Sequence, residues 1–125
     1  MEGEKRAEEL VSVDVHEAAD LLRSGCRYLD VRMEEDFLKG HVEGAVNVPY
    51  YSDTPEGRVK NPGFLDQVST LVTRDETFIV GCMTGNRSKH ATGDLLLAGF
   101  VNAKNMKAGY RSWLQKDAAE LDKTA

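Results

Sequence analysis

Short β-branched and apolar runs alternate with stretches of helical spacing along most of the chain. That alternation limits the possible folds more than any other feature. Val11–Val13, Tyr28–Val31, Ala45–Val48, Thr77–Val80 and Val101–Met106 read as strands. Thr77–Val80 has the composition of a buried central strand, and Pro49 closes the third run. Asp14-Val15-His16-Glu17 has the pattern of a capping box; Val15, Ala18, Leu21 and Leu22 follow at helical spacing, and Gly25 ends the helix. The charged stretch Arg32–Asp36 stops the second strand. Tyr51–Lys60, with its Ser, Asp, Pro and Gly, reads as a surface loop. Asn61-Pro62 opens a helix with Leu65, Val68 and Leu71/Val72 as its apolar stripe. Another helix opens at Ser88, carries Ala91, Leu95 and Ala98, and stops at Gly99. Tyr110–Gln115 is the last helix. The pattern implies an α/β domain over 11–115, with a mostly parallel central sheet flanked by helices. The polar ends, 1–10 and 116–125, are expected to fray.

A chain of 125 residues suits one domain. Its net charge of −5 argues against nucleic acid, which needs a positive surface, and against attraction to anionic lipid. Leu95–Val101, the longest apolar run, is too short to span a membrane and already contains Gly99. The acidic start, with Glu2, Glu4, Glu8 and Glu9, reads as neither a secretory signal nor a transit peptide, so the expected compartment is the cytoplasm. Cys26 and Cys82 with three His make neither a disulfide framework nor a zinc site. Nothing in the sequence demands an oligomer, so a monomer is expected.

The stretch that carries chemistry is Phe78–Ser88, where the central strand runs into a loop and a helix follows. Loop N–H groups that point inward, backed by the partial positive charge of a helix start, make an anion cradle. Gly85 permits the turn. Such a cradle favours the thiolate of a cysteine at its beginning, which makes Cys82 a nucleophile candidate. Arg87 adds a permanent cation with a fork suited to oxyanions, so the substrate is expected to be an anion. The competing interpretation, a buried structural cysteine, explains a lone Cys well but not the whole loop.

Taken together, the motifs resemble the rhodanese-like sulfurtransferases. The resemblance runs from about Val11 to Trp113. It includes Leu29-Asp30-Val31-Arg32 and Gly40-His41-Val42-Glu43-Gly44-Ala45-Val46-Asn47-Val48-Pro49. It continues through the Cys82–Arg87 loop, Ala98-Gly99-Phe100 and Ala108-Gly109-Tyr110 with Trp113. Tyr28–Arg32 and Lys60-Asn61-Pro62 are most similar to the plant single-domain, senescence-associated type.

What the resemblance implies is a thiol relay. Cys82 attacks the outer sulfur of thiosulfate or a similar small anionic donor and expels sulfite. A persulfide forms and passes its sulfur to an acceptor: cyanide in vitro, a thiol such as glutathione or thioredoxin in the cell. Met83, Thr84, Gly85, Asn86, Arg87 and Ser88 form the substrate loop. The relay needs no metal and no organic cofactor. The Cys-x4-Arg spacing is one residue shorter than in related protein phosphatases, whose wider ring admits phosphate. A mercaptopyruvate-type loop also fits poorly, because Met83, Thr84 and Asn86 stand here and Arg87 is kept. Ala108 replaces the first glycine of the family's usual pair, and Met83–Asn86 departs from the plant pattern, which touches donor specificity. Two alternatives stay open: a glutathione-dependent arsenate reductase using Cys82, and a non-catalytic binding module.

Asp30 and Arg32 follow a strand, at the sheet end where α/β sites form. Either Asp30 orients loop groups such as Arg87 and Arg32 steers an anion, or the two form a buried ion pair. His41 and Asn47 read as hydrogen-bonding struts. Cys26 is either a resolving thiol or a small buried residue. Lys89 and His90 are either an anion lure or solvated charge. Tyr110 and Trp113 form the packing face of the last helix.

Overall fold

The computed structural model describes residues 11–124. Five strands form one parallel sheet: β1 (Ser12–Val13), β2 (Arg27–Asp30), β3 (Val46–Asn47), β6 (Phe78–Gly81) and β7 (Ala103–Met106), in the order β1-β7-β6-β2-β3. β6 holds the centre. All four of its residues are buried, as its apolar sequence requires.

Side-chain alternation divides the interior into two cores. Phe78 and Val80 join Leu29 and Val31 in one, closed by Phe64 and Val68 of α3 (Phe64–Ser69) and Ala91 and Leu95 of α4 (Asn86–Leu97). Ile79 joins Tyr28, Val13 and Met106 in the other, closed by Val15 and Ala18 of α1 (Val15–Arg23) and Tyr110 and Trp113 of α5 (Gly109–Thr124). A period of two in the strands and 3.6 in the helices produces this layering. At the start of α1 the capping box is complete. Asp14 Oδ1 accepts from His16 N (3.0 Å) and Glu17 N (2.9 Å), and Glu17 Oε1 accepts from Asp14 N (3.3 Å).

Four local expectations are corrected. Tyr51–Lys60 is not a loop but an antiparallel hairpin, β4 (Tyr51–Thr54) and β5 (Gly57–Lys60). Its turn residues sit at Pro55-Glu56, and the Thr54 hydroxyl donates to Gly57 O at 2.6 Å. The charged stretch after β2 leads into a short helix, α2 (Glu34–Lys39). That helix buries no residue and so leaves no apolar stripe to read. Asn61-Pro62 precedes a helix without starting it: Asn61 Oδ1 accepts from Gly63 N at 3.0 Å, and α3 begins at Phe64. α5 continues past Gln115 to Thr124, because its polar residues pair along the helix, as with Lys116 and Glu120. The expectation for 1–10 lies outside the described residues.

Candidate active site

Cys82 directly follows β6, at the carboxyl end of the central strand. Parallel sheets place their sites there, because neighbouring strands end together and helices start beside them. Its side chain is 2% exposed. The buried sulfur is nevertheless surrounded by donors. Gly85 N donates to Sγ at 3.1 Å and Ser88 N at 3.3 Å. The thiol in turn donates to Ser88 Oγ at 3.4 Å. The first N–H groups of any helix need an outside acceptor. At α4 the N-cap is Gly85, which has no side chain to offer, and the Cys82 sulfur takes that role. One arrangement thus completes a helix end and surrounds a nucleophile with N–H dipoles.

Glycine is required twice around the loop. Gly85 has φ +101°, and a Cβ there would come within 3.1 Å of Ala108 N. Gly81 faces the buried Tyr28 ring, and a Cβ there would fall 1.8 Å from Tyr28 Oη. Burial holds the Tyr28 phenol neutral well above the usual tyrosine range, with the Asp30 carboxylate adding to the effect. The loop is pinned from behind: Tyr110 N donates to Cys82 O (2.8 Å) and Arg111 N to Met83 O (3.0 Å).

The remaining sequence candidates fall into two groups. Met83, Gly85 and Arg87 are half-buried, Thr84 and Asn86 exposed and Ser88 buried, so the loop presents a partly open rim over a closed floor. Asp30 and Arg32 stand apart from that rim as a buried pair. Arg32 Nη2 donates to Asp30 Oδ2 at 2.8 Å and to Gly40 O at 2.7 Å. Arg32 Nε donates to Asp30 Oδ1 at 3.0 Å. The Arg32 guanidinium lies 4.6 Å from the centre of the Tyr110 ring. Asp30 therefore orients Arg32 rather than Arg87, and the ion-pair reading describes this geometry. Asn47 is a strut, donating to Asp30 O (2.9 Å) and Arg32 O (3.0 Å). His41 stacks on Phe37 with ring centres 3.8 Å apart, and its Nδ1 lies 2.7 Å from Phe37 O.

Cys26 precedes β2 while Cys82 follows β6, and the two strands run parallel in register from Arg27–Phe78 to Asp30–Gly81. The two thiols therefore sit at opposite ends of the sheet, on the order of 15 Å apart at the usual strand rise. That is far beyond disulfide reach. Asn105, which the sequence did not single out, is buried on β7 and accepts from Ser88 Oγ at 2.6 Å. β7 reads Ala-Lys-Asn-Met, so its sequence alone does not set Asn105 apart. Among the described residues no group of His, Cys, Asp and Glu could hold a metal ion. No helix among them is long and apolar enough to cross a membrane.

The model of the rhodanese-like domain family matches residues 14–116. The chain belongs to that family. Rhodanese relatives include thiosulfate sulfurtransferase 18 of Arabidopsis thaliana, 50% identical over 111 residues, which cover 87% of this chain and 82% of that protein. Another is the mitochondrial protein HIGH ARSENIC CONTENT 1 of the same plant, 47% identical over 88% of this chain and 65% of its own length. Among solved rhodanese structures, the human single-domain sulfurtransferase superposes with a TM-score of 0.66 at 28% identity, over 84% of this chain and 96% of its own length. Plant-type relatives and the parallel five-strand sheet both agree with the family expected from the motifs.

Proposed function

We propose that the protein is a thiosulfate sulfurtransferase acting through a persulfide on Cys82. The observation that carries this reading is the convergence of the Gly85 and Ser88 N–H groups on one buried sulfur at the end of the central strand. The Cys82 thiolate attacks the outer sulfur of thiosulfate. The new S–S bond forms as the bond to the sulfonate sulfur breaks, and sulfite leaves with that electron pair. The terminal sulfur of the persulfide then carries the negative charge, facing the loop rim. A thiol such as glutathione or thioredoxin, or cyanide in vitro, takes the terminal sulfur and regenerates the thiolate.

Arg87 serves the anionic donor with its permanent charge, and Met83, Thr84 and Asn86 form the rim that selects it. Asp30 and Arg32 support the loop by fixing Tyr110 behind Cys82. One chain over 11–115 holds every one of these parts, so a monomer suffices. A reducing compartment such as the cytoplasm keeps the thiol available. The name of the relative at 50% identity supports the same donor. A second reading is reduction of arsenate with glutathione at the same cysteine, supported by the arsenic-named relative. The two separate by product. With thiosulfate and cyanide the first gives thiocyanate with parallel-line, ping-pong kinetics. With arsenate and glutathione the second gives arsenite. Arsenite without thiocyanate would reject the sulfurtransferase.

A further inference from the structure

We propose that Asn105 is a positioning residue for the Cys82 sulfur, acting through the single hydroxyl proton of Ser88. Ser88 Oγ has one proton and three acceptors within reach. Asn105 Oδ1 lies at 2.6 Å, Gly85 O at 3.2 Å and Cys82 Sγ at 3.4 Å. A hydroxyl donates once, and the shortest contact takes the proton. Asn105 therefore turns Ser88 so that a lone pair faces the sulfur, where it accepts the S–H of the resting thiol. Thiol, hydroxyl and amide carbonyl form a chain with one direction: Cys82 to Ser88 to Asn105.

This direction matters once the sulfur is charged. An anionic sulfur wants a donor, and the Ser88 hydroxyl can supply one only by leaving Asn105. The thiolate is then held by the Gly85 and Ser88 N–H groups, with the hydroxyl contested between sulfur and amide. The Asn105 side chain is buried on β7, which pairs with β6 through Val80–Asn105, so its position is set by the sheet itself. Burial strengthens the competition, because no water substitutes for a lost partner.

The inference rests on Cys82 being the reactive thiol but not on the identity of the donor. Its test is therefore alkylation, which requires no sulfur transfer. Iodoacetamide labelling of Cys82, read on the Cys82 peptide by mass, is followed against pH in the intact protein. Asn105→Leu and Asn105→Ala free the Ser88 hydroxyl to serve the thiolate. The labelling midpoint moves toward acid by about one pH unit, the worth of one hydrogen bond to a charged group. In the Ser88→Ala background the same Asn105 changes move it by far less. Ser88→Ala alone moves it less than Asn105→Leu does.

None of the variants alters a titratable side chain near the loop: Tyr28 lies against Gly81 with Asp30 and Arg32 behind it, Lys107 lies against Gly85, Tyr110 and Arg111 pin the loop by their backbone, and Arg87 belongs to α4. An acid shift that persists undiminished without the Ser88 hydroxyl overturns the proposal, as does no shift in either Asn105 variant. Should the Asn105 variants not fold, Ser88→Ala still decides. An alkaline shift of a full unit would mean that the hydroxyl already donates to sulfur in the unaltered protein, contrary to the proposal. Failure of thiosulfate turnover with the labelling shifts intact would reject the sulfurtransferase reading alone.

Discussion

Gly109 lies against the backbone of Cys82: a Cβ on residue 109 would sit 2.5 Å from Cys82 O and 2.5 Å from Met83 O. The first turn of α5 is therefore the mould for the candidate catalytic loop. Tyr110 N and Arg111 N, which follow Gly109, donate to those same two carbonyls. Gly109→Ala must push the loop outward and break this pinning. We expect a loss of at least about 2 kcal/mol and a larger relative loss of turnover than of fold. Chemical denaturation beside steady-state rates checks this. A variant with unaltered stability and rate would show that the loop is not moulded by α5.

The neighbouring residue offers the opposite change. Ala108 is the single non-glycine residue at positive φ among those described, at +64°. A Cβ in that region costs roughly 1–2 kcal/mol, partly offset by the freedom glycine adds to the unfolded chain. Ala108→Gly is predicted to stabilise the protein by about 0.5–1 kcal/mol and to raise Tm by a few degrees. Calorimetry giving a lower Tm would contradict the strain.

The Asp30–Arg32 pair has both side chains 2% exposed. Removing one partner leaves a charge buried without its counter-ion. Asp30→Ala is predicted to cost about 3–5 kcal/mol, with turnover per folded molecule falling less than stability. If instead turnover collapses in a protein of normal stability, Asp30 acts on the chemistry directly.

Alkaline stability follows from two tyrosines. Burial and the Asp94 carboxylate push the Tyr50 phenol up to about 12, and burial raises Tyr28 further still. A group with a raised folded pKa keeps its full contribution below the unfolded value near 10 and loses it as pH rises through the folded one. The domain should therefore lose stability from about pH 10 upward. Tyr50→Phe should flatten part of that slope. Unfolding free energies measured across this range, with tyrosinate absorbance followed in parallel, decide the point. An unchanged slope in Tyr50→Phe would remove Tyr50 from the account.

Much of this was legible in the sequence because it rests on local rules. The capping box at Asp14, the stop at Gly99 and the buried run Phe78–Val80 each have one physical solution. The Cys82 loop could be read because strand, glycine and helix start occur together. The helix Glu34–Lys39 could not, since it buries no residue and shows no periodicity. The hairpin at Tyr51–Lys60 was hidden because Ser52, Asp53, Pro55 and Gly57 break up its pattern while backbone pairing supplies its order. Asn105 escaped notice for a different reason. Its partner Ser88 lies 17 residues away on α4, and the packing of that helix start against β7 brings them together. For Asp30 the sequence offers both a reach to Arg87 and a buried pair with Arg32, because spacing alone does not say which guanidinium meets the carboxylate; in the structure it is Arg32.

The most direct test of the central claim is the intact mass of the reduced protein after one exposure to thiosulfate, with released sulfite assayed in the same sample. The account predicts a gain of one sulfur atom on Cys82, one equivalent of sulfite, and neither in Cys82→Ser, while Cys26→Ser behaves as the unaltered protein. An unchanged mass with no sulfite, or a sulfur gained on Cys26, would contradict it.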